Sequence, residues 1–151
     1  MTAHDVPALT EAFASWGKPP DQYERYWMEN EDGERVTFIA FIDGAVAGYG
    51  NLEWRSDYAP FGEHDIPEIT DLNTLEQYRK RGVASAIIAA CEALARKDGK
   101  PIIGIGVGKT PDYGNAQRLY PKLGYVFDGC GRQPSPWGDV EYLTKALAPT
   151  N

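Results

Sequence analysis

Cysteine, histidine and methionine are scarce in this chain, with two of each in 151 residues. So few thiol and imidazole donors argue against a Cys/His metal centre and against a disulfide framework. Cys91 falls within an apolar periodic segment and Cys130 in a glycine-rich stretch, and both are read as reduced thiols. No run approaches the ~20 apolar residues of a membrane span. The first residues carry no basic block followed by an apolar one, so a soluble, cytoplasmic protein with no membrane partner is expected. Positive charge is scarce in the first half: residues 1–76 hold 4 Lys/Arg against 16 Asp/Glu, whereas residues 77–151 hold 11 against 6. That distribution disfavours nucleic acid as a partner. It suits an anion held by the second half and a cation drawn to the first, although the acidic stretch 29–34 also reads as a solvated helix surface.

A chain of this length buries about 68–70% of its unfolded surface, enough for one core; a single domain over residues 1–151 is expected. Asp5, Val6 and Pro7 open a first helix, with Asp5 as cap and Leu9, Phe13 and Trp16 on its apolar side. Tyr23, Tyr26 and Trp27 mark a second helix, which ends near Gly33. Residues 36–42 and 45–52 read as strands joined at Asp43-Gly44, a strong hairpin signal. A polar loop, 54–65, leads to a strand over 68–75, and a strand over 102–107 follows a long helix. A helix containing Tyr120, a short strand at 125–127, a Gly/Pro-rich loop and a strand over 140–144 complete the order. No internal repeat is present.

Between the third strand and the long helix lies Arg79-Lys80-Arg81-Gly82. Val83, Ile87, Cys91 and Leu94 recur at helical spacing, so the helix starts at about Val83. None of residues 79–82 is Ser, Thr, Asp or Asn, which leaves the first-turn N–H groups without a side-chain cap. Bare amides, the positive helix end, a glycine and three cations favour an anion of phosphate type. A solvated basic turn would use the same residues.

Arg79, Gly82 and Ala84 fit the pattern Gln/Arg-x-x-Gly-x-Gly/Ala, and residues 115–125 run Asn-Ala-Gln-Arg-Leu-Tyr-Pro-Lys-Leu-Gly-Tyr. Together and in this order, these segments resemble the GNAT superfamily of acetyl-CoA-dependent N-acetyltransferases over residues 35–147. The resemblance implies an α/β (α+β) fold with a mixed, mostly antiparallel central sheet flanked by helices. The family normally opens with a strand, yet only Met1 to His4 precede the first helix, so that strand is expected to be truncated or absent. The resulting sheet edge would suit homodimer pairing.

The resemblance also implies site roles. Acetyl-CoA would be the co-substrate, with its diphosphate on the amides of Arg79, Lys80, Arg81, Gly82, Val83, Ala84 and Ser85. Its pantetheine arm would run along Leu72, Asn73 and Thr74, and Asn115 is carried over as a further contact. That strand would supply an oxyanion donor. Tyr120 matches the tyrosine that faces the CoA sulfur and protonates, or hydrogen-bonds, the departing thiolate, although an aromatic at a helix end also suits plain packing. Glu68 lies at the offset before Arg79 where the histone-acetylating branch keeps its general base; Glu53, Glu63, Asp71 and His64 are competitors. No metal is required.

The acceptor is expected to be a small cationic molecule bearing a primary amine. Residues 53–76 contain seven acidic groups against Arg55 alone. Glu53, Trp54, Tyr58, Tyr113 and Trp137 stand in or beside the loops that border the acceptor channel in similar proteins, with Phe61 near them; their own loop packing is the plainer role. Two other classes remain open at this stage: a CoA-binding sensor or subunit without turnover, and a binding protein whose phosphate site is unrelated to CoA.

Overall fold

The computed structural model describes residues 1–149. The chain begins with helix α1 (Asp5–Ala12) and, after a 3-10 turn, α2 (Gln22–Glu31). Asp5 is the first helical residue rather than the cap, which is His4; the Asp5 carboxylate turns back to accept the Thr2 amide at 2.6 Å. Strands β1 (Arg35–Ile42) and β2 (Ala45–Glu53) form the expected hairpin, with Asp43 and Gly44 both at positive φ as its tight turn demands. A short helix α3 (Ala59–Glu63) interrupts the segment expected to be loop. It is a single turn started by Pro60, too short for apolar periodicity to mark.

Strand β3 (Glu68–Thr74) leads to α4 (Val83–Lys97), then β4 (Ile102–Gly108), α5 (Gly114–Lys122), β5 (Val126–Gln133) and β6 (Val140–Ala146). The six strands form one sheet in the order β1-β2-β3-β4-β6-β5. Only β3 and β4 are parallel; the other neighbours are antiparallel. Among the described residues no strand precedes α1.

Strand β5 is longer than its composition predicts. Most of it is exposed, Gly129 and Gly131 sit at φ 85° and 76°, and pairing with β6 breaks between Phe127 and Arg132. Such a bulged edge carries little of the alternation that marks a half-buried strand.

Each sheet face has its own apolar layer. On one, Ile87, Ile88 and Cys91 of α4 pack on Leu52, Ile69, Ile103, Ile105 and Leu143. On the other, Leu9 and Phe13 of α1 and Tyr23 and Tyr26 of α2 enclose Tyr49 and Leu75. Glu92 on α4 is 8% exposed and accepts the Tyr125 hydroxyl and the Lys145 ammonium, both at 2.9 Å. Among the described residues no helix is long and apolar enough to cross a membrane. Replacing Glu92 by Ala removes the acceptor of two partners at once and is expected to cost roughly 3 kcal/mol, read from the denaturant midpoint; Glu92→Gln should cost less.

Candidate active site

Strands β3 and β4 are each seven residues long, yet they pair only at Glu68↔Gly104 and Ile69↔Ile105. Beyond Ile69 they diverge. The divergence coincides with a bulge, since Asp71 and Leu72 together stand opposite Gly50 of β2, between Asn51↔Thr70 and Tyr49↔Asn73. Asp71 takes φ 47°, a left-handed conformation uncommon for a side-chain-bearing residue. The Leu75 amide bonds the Ala47 carbonyl at 2.8 Å, so by antiparallel alternation the polar groups of Thr74 point away from β2, into the gap. Leu72, Asn73 and Thr74 therefore form one edge of an open wedge.

The start of α4 stands at the wide end of this wedge. Gly82 is its left-handed N-cap at φ 79°, Lys80 is also left-handed at φ 64°, and no side chain caps the first turn. A Cβ on Gly82 would meet nothing within 4 Å, so the approach to these amides is open. Arg79, Lys80 and Arg81 are exposed around it, while Val83 is buried as the first core residue of the helix. Gly48 permits the close fit beneath: a Cβ there would lie 2.5 Å from the Asn73 carbonyl oxygen and 2.9 Å from Val83.

Helix α5 is tied to the end of β4 by the Gln117 amide, which donates to the carbonyls of Gly108 at 2.7 Å and Thr110 at 3.0 Å. Tyr120 on this helix is 6% exposed and lies tilted against Tyr125 with ring centroids 6.3 Å apart. Its hydroxyl has no hydrogen-bond partner among the described residues, and burial pushes the phenol up to about 12. Pro121 does not stop the helix at Tyr120: the last helical residue is Lys122, and the chain turns at Gly124, φ 98°.

On the opposite sheet face from α4, a cavity of about 550 Å³ opens at the closed end of the wedge. Its walls include Glu53, Asp57, Tyr58, Glu68, Thr70 and Tyr142, and no Lys or Arg. Glu53 and Glu68 are direct cross-strand partners. Burial, with the nearby charges of Glu53 and Asp57, raises the Glu68 carboxyl to about 7 against the opposing hydrogen bond from Ser56. Glu53 is partly neutralised by Arg35 at 3.2 Å. Asp71 behaves oppositely: burial would lift it, but Lys18 and hydrogen bonds from Asn73 and Tyr26 outweigh that and hold it below the usual carboxylate range.

One wall of the cavity is aromatic. Tyr58 and Tyr142 stack in parallel, 3.7 Å apart at 7°, and Phe61 meets both edge-on. The Tyr58 hydroxyl donates to Asp128 at 2.6 Å. Room for these rings comes from glycines on one face of β4: a Cβ on Gly104 would lie 2.2 Å from Phe61, and one on Gly106 would lie 3.0 Å from Tyr142.

The sequence-predicted residues thus fall in several places. Leu72, Asn73 and Thr74 and residues 79–85 line up along the wedge, and Glu53, Tyr58 and Glu68 meet in the cavity. Trp54 lines a separate pocket with Arg55, Phe61 and Asp65. Tyr113 covers Gly108, Trp137 is 80% exposed between β5 and β6, and Asn115 is exposed with its carbonyl oxygen taken by Arg118 at 2.7 Å. Sequence reasoning missed Asp57, Ser56, Thr70 and Tyr142. The alternate glycines 104, 106 and 108 were the available signal for Tyr142, because a strand face stripped of side chains must be covered by large ones from elsewhere.

The family model described as the acetyltransferase (GNAT) family matches residues 6–125. Solved structures share the fold. An aminoglycoside 6'-N-acetyltransferase complexed with coenzyme A superposes with TM-score 0.73 at 15% identity, covering 99% of this chain and 94% of that one. The ribosomal-protein-S18-alanine N-acetyltransferase from Escherichia coli gives 0.72 at 15% identity, covering 100% and 93%. The protein yncA from Salmonella typhimurium, with its cofactor acetyl-CoA, gives 0.72 at 16% identity, covering 98% and 91%. A search of the curated proteins found no match. Among the described residues no group of three metal-ligating side chains is assembled. Gly104→Ala is expected to force Phe61 off its seat and cost about 1–3 kcal/mol, measured as a fall in the unfolding midpoint together with altered tyrosine near-UV dichroism.

Proposed function

Because the chain belongs to the GNAT acetyltransferase family, with acetyl-CoA as its co-substrate, we propose that it transfers the acetyl group directly to a primary amine of a small cationic molecule. The wedge and the cavity meet where β3 and β4 part, so cofactor and acceptor would approach one point from opposite sides. The amides at the start of α4 would hold the CoA diphosphate, as the uncapped helix end and the open approach to Gly82 favour. The pantetheine arm would pair with the free edge of Leu72 to Thr74. An N–H of that edge would stabilise the oxyanion formed on attack, a contribution of ~3 kcal/mol.

An alkylammonium of pKa ~10.4 costs roughly 4–5 kcal/mol to deprotonate at neutral pH. Glu68 is the base we assign. The observation that carries this reading is its position: a carboxyl raised to about 7, at the closed end of the wedge, in a cavity lined by acids and no cations. A general base works best near the operating pH. The charge of the walls favours a cationic amine, and the half-buried tyrosine stack suits an apolar or aromatic body. An acceptor with a carboxylate beside its amine would be repelled.

Tyr120 would act on the leaving sulfur. With its phenol at about 12 and a free thiol near ~8.5, complete proton transfer to the thiolate is uphill by roughly 5 kcal/mol. The hydroxyl therefore serves as a hydrogen-bond donor to the sulfur, since no hydrogen bond among the described residues engages it. The ammonium proton is lost to Glu68 before attack; the acetyl group then passes from sulfur to nitrogen as the C–N bond forms and the C–S bond breaks, the second nitrogen proton going to water and the CoA thiolate being released.

Acetyl-CoA should raise the melting temperature, and an amine panel read as released thiol should rank diamines above α-amino acids; the reverse ranking would reject the cationic acceptor. Turnover should rise with pH through about 7 as Glu68 loses its proton. Glu68→Gln should lower kcat by ~10²-fold or more and abolish that rise. Stability gives the opposite sign: the raised carboxyl is neutral when folded but charged when unfolded between the ordinary carboxylate range and about 7, so the folded state loses stability over that window and the Gln variant should not. Tyr120→Phe should lower kcat while leaving the acetyl-CoA dissociation constant unchanged; an unchanged kcat removes Tyr120 from the chemistry.

A further inference from the structure

We infer that Asp71 is a positioning residue for acetyl transfer, clamping the β3 bulge to helix α2 and so setting the strand edge that faces the cofactor. The inference rests on the reading of the wedge as the acetyl-CoA site. Its basis is the set of contacts around one carboxylate. One Asp71 oxygen accepts the Lys18 ammonium at 2.9 Å and the Asn73 amide at 2.7 Å. The other accepts the Tyr26 hydroxyl at 2.8 Å, the Tyr49 hydroxyl at 2.9 Å and the Gln22 amide at 3.3 Å. Five donors meet a group with about four lone-pair sites, and they come from the turn before α2, from α2 itself, from β2 and from β3.

The Asn73 amide also donates to the Asp71 backbone carbonyl at 3.0 Å. Its side chain therefore straps the bulge from below while the tyrosines hold it from above. Released from these contacts, Asp71 would leave its left-handed conformation for the extended one that a side chain prefers. Two residues opposite Gly50 would then tend to slip towards regular pairing, and a one-residue slip reverses which way Leu72, Asn73 and Thr74 present their amides. The carboxylate touches no reacting atom in this scheme. It acts through the backbone of the residues that follow it.

Asp71→Asn tests this cleanly, because Asn keeps the size and the tolerance for positive φ while removing the charge and replacing one acceptor by a donor. In steady-state kinetics on the full chain, kcat should fall about 10- to 100-fold, the loss that small misplacements of reacting groups produce, with the KM for the amine unchanged. Leu9→Ala, which weakens the same helical layer without touching the bulge, should leave kcat of the folded enzyme unchanged. If Asp71→Asn does not fold, Tyr26→Phe and Tyr49→Phe should each reproduce the kcat loss in part, with the same unchanged amine KM. A parental kcat in Asp71→Asn or in both Phe variants, or an equal loss in Leu9→Ala, would overturn the inference. Failure of acetyl-CoA to raise the melting temperature of the parent chain would instead overturn the reading of the wedge, and this inference with it.

Discussion

The site proposed for this molecule depends on two parallel strands that pair for two residues and then part. Backbone N–H and C=O groups rarely go unpaired away from water, so a sheet that opens in its middle leaves two facing rows of polar groups in need of partners. An extended ligand carrying amides can supply them as a further strand would. The opening begins where β3 carries an extra residue against β2, just past the paired end at which Phe61 lies on the face of Gly104.

Around this opening the charges are sorted. The cations before α4 stand at one end, and Glu53, Asp57 and Glu68 gather on the other face. Burial first, and after it the repulsion from Glu53 opposed across the strand pair, keeps the Glu68 proton on to about 7. Asp71, equally enclosed but ringed by donors, stays charged. Two acids on one strand thus differ by environment alone: Glu68 can exchange a proton near neutrality, whereas Asp71 is committed to holding structure.

How far the sequence discloses this follows from the range of each interaction. Local signals were legible: the Asp43-Gly44 turn, the periodic face of α4, and the missing cap at Gly82 all arise within a few residues and appear as expected. The charge asymmetry was legible because it needs only counting. The bulge was not, since it is a mismatch in register between Gly50 and two residues some twenty positions away. Tyr142 went unnoticed for a related reason: alone in a strand it is an ordinary aromatic, and only the register Gly106↔Tyr142 shows why the glycine is there. Pro121 is a local signal with little effect on the fold. A proline normally removes a helical hydrogen bond, but this helix ends one residue later, so little helix remains to be broken.

The glycines of β4 show how packing and site formation are one problem here. Ile103, Ile105 and Val107 face α4 and build the core, so the alternate positions face the cavity side. Side chains at those positions would fill the space between the sheet and α3. With glycine at 104, 106 and 108, the rings of Phe61 and Tyr142 from distant segments, and of Tyr113 from the turn just after β4, lie directly on the strand. Rings carry few rotatable bonds, so a wall made this way is stiff at small entropic cost. It also keeps the cavity open beside it, because the stacked tyrosines brace one another and Tyr58 is anchored through Asp128. The composition that weakens β4 as a strand is therefore what lets an aromatic-walled cavity form against the sheet at the point where the wedge begins.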